Sequence, residues 1–296
     1  MKTFSTAPGN EITQRIICPV CGSDSFAPLW SFENYSFVQC ISCSLVYQNP
    51  QPIQDVLTDR YDEEYFDYEQ ANEESFFELM SLGLNDIGFD EVSSKLHAGN
   101  RSFLDIGCAT GRLIGELQQR DWQVQGVEVC APAARHGIDL YHVPIHIGTL
   151  ESADFQSTFS VIHCSHLIEH LTDPRAFVEN VKRQLSPDGI FIITTPNISG
   201  FQAKLMGPKW RSVIADHMFL FSKRTLTRLL GDCGFDVECV KTWGGIGVGI
   251  VHNLVKKPLD IMAKRFGFGD VMIMRASLRT SAIHARNSHF DPSTSI

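Results

Sequence analysis

Residues 102–128 read as a short apolar strand, a glycine turn, a helix and a second strand that ends in an acid, Glu128. Gly107 and Gly111 lack a Cβ atom, so the backbone between strand and helix can turn sharply and approach a ligand closely. Glu128 follows Gly107 by 21 residues, at the strand tip where a carboxylate accepts hydrogen bonds from both hydroxyls of a ribose. The turn reads D-x-G-x-x-x-G and lacks the dinucleotide pattern G-x-G-x-x-G. This stretch predicts half of a nucleotide-binding α/β domain.

The composition is that of an ordinary globular chain with an acidic balance. Of 296 residues, 43% are hydrophobic and 20% are charged, and the formal net charge is −9. A broad phosphate-backbone footprint needs clustered lysine and arginine, so this balance does not favour nucleic acid as a partner. No basic-then-apolar signal opens the sequence, and its longest weakly apolar run, residues 244–251, is too short to span a bilayer. We therefore expect a cytoplasmic protein without a transmembrane segment.

Four of the nine cysteines form two C-x2-C pairs, Cys18 with Cys21 and Cys40 with Cys43, separated by 18 residues. Each pair places two thiolates on one tight turn, with a bite that suits a tetrahedral ion. The odd cysteine count and the lack of a secretory signal do not favour a disulfide framework. A thioredoxin-type redox pair would need a βαβ context that this stretch lacks. The spacing predicts a structural zinc site with four sulfur ligands, which leaves no position for an activated water.

Residues 1–50 form the predicted zinc-ribbon module, and residues 51–98 the predicted linker and capping helices. Partial alternation over residues 30–38 is typical of a small hairpin, and residues 49–52 read as a closing turn. Residues 1–60 carry three basic against five acidic side chains, so the ribbon is a poor phosphate binder. We expect it to shape a substrate entrance or an interface.

The linker carries a helical pattern from residue 71 to residue 97, with a break expected near Gly83 or Gly88. The acidic, aromatic stretch before it, residues 61–68, reads as a solvated face over a packed aromatic stripe. We therefore expect helices between the ribbon and the main domain.

Residues 99–276 read as one domain of alternating strands and helices, followed by a polar tail at 277–296 that we expect to be disordered. An amphipathic helix is expected within residues 244–266. The other elements predicted after Glu128 are a helix over 131–140, strands over 143–147, 159–164 and 190–197, a helix over 223–232 with Ser222 as its N-cap, and strands over 237–240 and 271–274, the last antiparallel.

Three motifs stand in order along this domain: D-I-G-C-A-T-G at residues 105–111, I-E-H-L-T-D-P at 168–174, and L-S-P-D-G followed by T-T-P-N within 185–197. Together they resemble the class I S-adenosylmethionine-dependent methyltransferases. The second motif closely resembles that of the ubiquinone-biosynthesis type and related small-molecule enzymes. Two positions depart from the family pattern, since Ala109 replaces a glycine of the first motif and Asp188 a glycine of the third.

The resemblance implies a Rossmann-like, seven-stranded, mostly parallel sheet with helices on both faces, with the zinc ribbon in front of it and S-adenosylmethionine as cofactor. It also implies that the N-terminal helices cover the cofactor and form one wall of the acceptor pocket. Relatives often place an aspartate at the position of Thr149 to contact the adenine amine, and here that contact would fall to backbone groups or to Glu151. The residues that the resemblance assigns to the cofactor are Asp105, Gly107, Cys108, Ala109, Gly111, Glu128, Val129, Thr149, Leu150, Ser165 and His166.

The implied reaction is an in-line displacement at the sulfonium methyl, for which the enzyme mainly supplies proximity and alignment. A hydroxyl or activated carbon acceptor benefits from a general base, and the candidates are His166, His170 and His217. Each histidine also has a structural interpretation: His166 as a pocket wall, His170 as a packing or capping group, and His217 as the loop partner of Asp216. The expected acceptor is a small molecule, such as a sugar-linked or other biosynthetic intermediate.

Two other classes of function stay open on the sequence. A ribbon in front of this fold also occurs in ribosomal RNA methyltransferases, where it would dock the substrate, but the acidic balance opposes that class. A non-catalytic partner protein would keep cofactor binding without turnover, and only Ala109 and Thr149 favour it. The sequence predicts neither the oligomeric state nor a choice among O-, N- and C-methylation.

Overall fold

The computed structural model describes residues 13–52, 63–95, 101–244, 264 and 266–279. The first of these segments contains five short strands: β1 (Thr13–Gln14), β2 (Phe26–Ser31), β3 (Ser36–Cys40), β4 (Val46–Gln48) and β5 (Gln51–Pro52). β2 and β3 pair antiparallel, which confirms the hairpin predicted from the aromatic alternation. The rings of Phe32 and Tyr35 stack across its turn with centroids 4.6 Å apart.

Two helices follow, α1 (Glu63–Asp86) and α2 (Phe89–Ser94). Gly88 separates them in a left-handed conformation with φ of +70°, so the predicted break lies at this glycine. Gly83 stays inside α1 because the helix packs closely there: a Cβ atom at Gly83 would lie 3.2 Å from the ring of Trp243. The helix begins at Glu63, earlier than predicted, and two acidic residues in its first turn favour that N-terminus.

The main domain alternates strands and helices. In chain order its first elements are β6 (Ser102–Ile106), α3 (Arg112–Gln118), β7 (Gln123–Glu128), α4 (Ala131–Tyr141), β8 (Ile145–Ile147), β9 (Phe159–Ser165), α5 (Pro174–Gln184) and β10 (Leu185–Pro196). The remaining elements are α6 (Phe201–Met206), β11 (Phe219–Leu220), α7 (Lys223–Asp232), β12 (Phe235–Trp243) and β13 (Val271–Leu278). The predicted N-cap Ser222 is confirmed, and its side chain forms a reciprocal capping box with Thr225.

Seven strands form the central sheet in the order β12-β13-β10-β9-β6-β7-β8. The pairs from β10 to β8 are parallel, and β13 lies antiparallel between β10 and β12. The mostly parallel sheet and its antiparallel last strand are therefore confirmed. Apolar side chains pack on both faces, since Phe103 and Leu104 of one strand belong to different buried clusters.

The N-terminal strands are joined to the main domain by a second sheet, in the order β11-β4-β3-β2. Its fourth strand comes from the main domain, and Phe219 of β11 pairs with Tyr47 of β4. Two arginines of the main domain also donate to backbone carbonyls beside the cysteine pairs. Arg175 reaches Pro19 and Val20, each at 3.0 Å, and Arg224 reaches Cys43 at 2.8 Å. The ribbon thus shares a sheet with the domain that follows it.

The last described strand, β13, extends past residue 276, where the main domain was predicted to end. The predicted start of the tail at residue 277 is wrong, because Ser277 and Leu278 pair within β13, opposite Ile190 and Phe235. Ladder hydrogen bonds and the burial of Leu278 outweigh the polar character that suggested a tail. The helix predicted within residues 244–266 falls almost entirely outside the described residues.

Candidate active site

The carboxyl ends of β6, β7 and β9 meet at one edge of the central sheet. Ile106 of β6 pairs with Val127 of β7 on one side and with Cys164 of β9 on the other. The chain order reverses beside β6, which is where open α/β sheets form their ligand crevice. Gly107, Glu128 and Ser165 follow these three paired residues, so the structure brings the ends of the predicted motifs together.

The turn after β6 has three residues in the left-handed region. The φ angles of Gly107, Ala109 and Gly111 are +72°, +47° and +73°. The N–H groups of Gly107 and Cys108 donate to the Val127 carbonyl at 2.8 and 3.2 Å, which fixes the turn against β7. The glycines are required by this backbone. Ala109 adopts the same region at a cost that a glycine would not incur.

Glu128 is 3% exposed and accepts two backbone hydrogen bonds. Its Oε2 accepts from the Ala109 N–H at 2.9 Å, and its Oε1 accepts from the Cys130 N–H at 2.8 Å. Burial raises its pKa, and these N–H groups oppose that shift because they stabilise the carboxylate. The carboxylate is therefore held in one orientation at the strand tip, and its contact with a ribose stays a prediction.

Two glycines that sequence reasoning missed bring the walls of this site close together. A Cβ atom at Gly126 would lie 2.6 Å from Cys108 Sγ, and one at Gly137 would lie 2.5 Å from the Thr110 carbonyl oxygen. Both distances are too short for a real side chain, so α4 and β7 can approach the turn only because these positions lack one. Their signal in the sequence was weak, since a single glycine inside a strand or helix has many explanations.

Asp105 lies inside the sheet below the turn. It is 3% exposed, and its Oδ1 accepts from Nδ1 of the buried His163 on β9 at 2.7 Å. A buried carboxylate needs such a partner. The structure therefore places Asp105 as a link between β6 and β9, and any contact with a cofactor stays a prediction.

The segment after β8 carries the other predicted cofactor residues. Thr149 precedes a short 3₁₀ turn over Leu150–Ser152, in which Leu150 is buried. The Oε1 of Glu151 accepts from Asn180 of α5 at 3.2 Å, so this carboxylate is engaged with a helix on the face of the sheet. Backbone groups near Thr149 are therefore the expected partners of an adenine, and that contact stays a prediction.

Helix α1 brings a second acid to the same region. Burial, followed by the charge of Glu128, raises the pKa of Glu69 to about 7, while the nearby His166 acts in the opposite direction. Glu69 is therefore close enough to both Glu128 and His166 for their charges to affect it. The sequence signal for it was only the acidic stretch at the start of the helical pattern, which has many solvated counterparts.

His166 follows β9 directly, at the carboxyl edge of the sheet. Its φ is +52°, uncommon for a residue with a side chain, and such backbone strain concentrates at functional sites. Its side chain is 48% exposed, and Nδ1 donates to Glu169 Oε1 at 3.1 Å. This bond leaves Nε2 as the imidazole nitrogen that can accept a proton.

Glu169 is fully buried behind His166, and sequence reasoning gave it no role. Its Oε2 accepts from the Thr195 hydroxyl at 2.9 Å. Burial disfavours its charge, but the hydrogen bond from His166 and the neighbouring histidines outweigh burial and lower the pKa of Glu169 to about 2. The acid is therefore ionised and orients His166. The available signal was the H-x-x-E spacing from His166 to Glu169, which begins two residues before the second motif.

His170 and His217 meet beside Glu169. Their rings lie edge to face with centroids 4.7 Å apart. Each Nδ1 donates to a backbone carbonyl: His170 to Asp216 at 3.0 Å, and His217 to Ser212 at 2.9 Å. His217 is buried, and that burial, with the charge of His170, lowers its pKa to about 3. At neutral pH His217 is uncharged and a weak base.

The structure thus separates the three histidines that the sequence grouped as candidate bases. His166 is the exposed, acid-oriented one, whereas His170 and His217 form an inner pair. Ligand atoms of Glu169, His170 and His217 lie within 4.8 Å of one another, a set that is also able to hold a divalent cation.

The four predicted metal ligands form a second cluster in the ribbon. The sulfurs of Cys18 and Cys43 lie 3.4 Å apart, those of Cys21 and Cys40 lie 3.5 Å apart, and all four lie within 4.8 Å of one another. Four sulfurs about 2.3 Å from a central ion span this range. The donor set and its compactness therefore fit a closed tetrahedral site.

Comparison with known sequences agrees with this geometry. The profile of a family described as a methyltransferase domain matches residues 77–240, more than half of the chain. The chain belongs to this family of methyltransferase domains. The match spans the glycine turn, Glu128, His166 and Glu169.

Relatives include the ubiquinone biosynthesis O-methyltransferase of Xanthomonas oryzae pv. oryzae, 28% identical over 121 residues, which make up 38% of this chain and 51% of that protein. The protein of the same name from Rhodopseudomonas palustris is 33% identical over 99 residues, or 32% of this chain and 39% of that protein. The chain thus spans about half the length, or less, of these curated relatives.

Solved structures share the fold. A SAM-dependent methyltransferase from Thermotoga maritima is 18% identical with a TM-score of 0.50, and covers 72% of this chain and 98% of its own. One from Archaeoglobus fulgidus has the same identity, TM-score and coverage. Within the described part of the chain, every helix is too short or too polar to cross a bilayer.

We expect Ala109→Gly to raise the free energy of unfolding by about 0.5 kcal/mol. The substitution removes a left-handed alanine that costs about 1 kcal/mol, and part of that gain is offset by the extra entropy of glycine in the unfolded chain. Urea denaturation measures the change. The control is Ala176→Gly at an exposed helical position, which should lose about 1 kcal/mol. A loss of similar size at Ala109 would contradict this account of the turn.

The low pKa of His217 predicts an acid-dependent loss of stability. As pH falls from about 6.5 toward 3, the unfolded chain protonates this histidine while the folded chain does not. His217 alone should therefore lower the free energy of unfolding of the wild type by up to about 1.4 kcal/mol for each pH unit below 6.5. His217→Gln should show a shallower dependence on pH between pH 6.5 and 4. Urea titrations at several pH values test this, with the exposed His142→Asn as control. Parallel slopes for wild type and His217→Gln would refute it.

Proposed function

We propose that this chain transfers a methyl group from S-adenosylmethionine to a small-molecule acceptor, with zinc held structurally by its four N-terminal cysteines. The observation that carries the proposal is the shared sheet edge, where a fixed ribose-type acid, Glu128, lies near an acid-oriented histidine, His166. Domain-family membership supports the reaction class. The relatives named for ubiquinone biosynthesis support a small-molecule acceptor.

The cofactor half is formed by the turn after β6 and the tips of β7 and β8. The left-handed backbone over Gly107–Gly111 lets main-chain atoms approach the ligand, and Glu128 receives the ribose hydroxyls. Glu128 already accepts two N–H groups, so little reorganisation is needed on binding. Helix α1 packs against α3 and α4, which flank this half, and Glu69 is close enough to Glu128 to interact with its charge.

When bound, S-adenosylmethionine supplies a methyl group already activated by the sulfonium charge. The protein then has to align the acceptor and remove its proton. His166 is the base that the geometry favours, because Nδ1 is bonded to the ionised Glu169 and the half-exposed ring keeps Nε2 as its proton-accepting nitrogen. The proton of a hydroxyl acceptor would pass to Nε2, and the resulting imidazolium would be stabilised by Glu169.

His170 and His217 suit a supporting role on the acceptor side. Both rings are fixed through Nδ1 by backbone carbonyls, so each keeps a lone pair at Nε2 when neutral. His217 is too weak a base for proton transfer at neutral pH. We assign the pair to hydrogen bonding on the acceptor side, whereas the sequence left each of them open as a base or as a structural group.

The zinc would be bound by Cys18, Cys21, Cys40 and Cys43. A site filled by four thiolates supplies folding energy and no activated water. The acidic balance of residues 1–60 does not favour an RNA-docking role for this ribbon.

Native mass spectrometry of the full chain with and without S-adenosylmethionine tests both ligands at once. We expect one zinc per chain and retained cofactor in the wild type, and about ten- to a hundredfold weaker cofactor binding in Glu128→Ala, because a charged acceptor of two hydroxyl groups is lost. Glu151→Ala is the matched control, since that acid bonds Asn180 instead. For zinc, Cys43→Ser should lower occupancy and Cys239→Ser, outside the cluster, should not.

Each part of the proposal has its own contrary result. Zinc without cofactor would remove the methyltransferase function, and cofactor without zinc would leave the cysteines unexplained as a metal site. Equal cofactor binding by Glu128→Ala and Glu151→Ala would contradict the assignment of the ribose acid.

The role of His166 is tested by transfer of radiolabelled methyl to the acceptor found in a screen of phenols, catechols, amines and sugar nucleotides. We expect His166→Gln to lower turnover by about 10² to 10⁴ while cofactor affinity stays within about twofold of the wild type, because the ring acts on the acceptor. Glu169→Gln keeps a hydrogen-bond acceptor but loses the charge, so its turnover should lie between that of the wild type and that of His166→Gln. Turnover of His166→Gln equal to that of the control His142→Asn would exclude His166 as the base.

A further inference from the structure

The loop that carries His217, residues 212–218, lies outside the helices and strands of the main domain and ends where β11 begins. Its own internal contacts are few: the His217 N–H donates to the Ile214 carbonyl at 3.3 Å, and the ring donates to Ser212. Buried carbonyls in such a loop need donors from elsewhere. His170 donates to the Asp216 carbonyl, and most of the other donors come from the ribbon.

Gln48, the last residue of β4, supplies them. Its side chain is 1% exposed, and Nε2 donates to the carbonyls of Ala215 at 2.7 Å and His217 at 2.8 Å, with a longer contact to Ile214 at 3.4 Å. Its backbone N–H donates to the Met218 carbonyl at 2.8 Å. Gln48 therefore contacts the carbonyls of four residues of the loop: Ile214, Ala215, His217 and Met218.

The placement of Gln48 depends on the cysteine cluster. Cys40 ends β3 and Cys43 lies three residues before β4, so the second cysteine pair forms the turn between these strands. On the other side of β4, Phe219 and Leu220 continue the loop as β11. Tyr35, from the same ribbon, adds a hydroxyl donor to the Val213 carbonyl at 3.4 Å.

The first cysteine pair is tied to the segment that carries His170. Arg175, in the first turn of α5, donates to the carbonyls of Pro19 and Val20 between Cys18 and Cys21. The four sulfurs thus join two ribbon turns, one attached near His170 and the other leading to the loop of His217. The cofactor half of the site, built on β6, β7 and β8, has no comparable bond to the ribbon among the described residues.

We propose that Gln48 is a positioning residue that sets the place of His217, and that the ribbon thereby supports the acceptor half of the active site through hydrogen bonds that the cofactor half does not share. This inference deepens the proposed function and rests on it, because that function defines which half of the site binds the acceptor. The contacts that position His217 involve only Gln48, the loop of residues 212–218 and the cysteine cluster.

Hydrogen–deuterium exchange on the full chain tests the claim, with Gln48→Leu against Gln39→Leu, an exposed glutamine on the neighbouring strand β3. In Gln48→Leu we expect amides of residues 212–218 to exchange at least about tenfold faster, because their carbonyls lose a buried donor. Amides of residues 102–128 and cofactor affinity should stay unchanged. Gln39→Leu should match the wild type throughout.

Two further readouts separate positioning from general destabilisation. Spectra of ¹⁵N-labelled histidine at pH 7 should show His217 as the Nδ1–H tautomer in the wild type and a mixture in Gln48→Leu. Tyr35→Phe, a milder change, should speed exchange only near residue 213, so the claim stays testable even if Gln48→Leu folds poorly. Removal of the metal with a chelator should likewise speed amide exchange in residues 212–218, while the amides of residues 102–128 stay protected from exchange.

Three outcomes would overturn the proposal: unchanged exchange in 212–218 for Gln48→Leu and Tyr35→Phe, an unchanged His217 tautomer, or equal loosening of residues 102–128. Failure of the wild type to bind S-adenosylmethionine would instead remove the proposed function. The exchange and tautomer results would still decide whether Gln48 positions His217.

Discussion

The part of this site that carries the three histidines depends on one buried carboxylate. Glu169 is fully buried, and an ionised group can remain there only if several partners satisfy it. Its side chain joins His166, which follows β9, to Thr195 of β10. Its backbone carbonyl accepts from the N–H groups of Met218 and Phe219 at 2.7 and 3.2 Å. A single residue therefore connects two parallel strands, the candidate base and the strand that the main domain shares with the ribbon.

Much of the fold followed from local sequence rules. The strand, turn and helix at residues 102–118 were predictable because apolar runs and left-handed glycines leave few alternatives. The helix of residues 223–232 was predictable from its N-cap, Ser222, for the same local reason. The cysteine cluster followed from spacing alone, since thiolate geometry restricts how two C-x2-C turns can meet.

What the sequence did not show was set by contacts between distant segments. Glu169 was visible as a letter in a motif, yet its burial depends on Thr195 and on the loop before β11. Gln48 gave no signal, because a polar residue at the end of a short strand is normally solvated, and the carbonyls that it binds lie about 170 residues away. Nor did the ribbon's acidic sequence indicate that its strand β4 pairs with β11 of the main domain. The sequence named three candidate histidines without ranking them, since exposure and base strength depend on the folded surroundings.

The position of β13 has a consequence for the order in which the sheet assembles. This strand is the last in sequence among the described elements, yet it lies between β10 and β12 and pairs with both along most of its length. Until residues 271–278 arrive, β10 presents an open edge and β12 has no neighbour. Unpaired edges of this kind invite association with other chains, and non-local pairing slows their closure. The region from β6 to β10 carries the glycine turn and His166, so during synthesis the reactive edge forms before the strand that seals its flank.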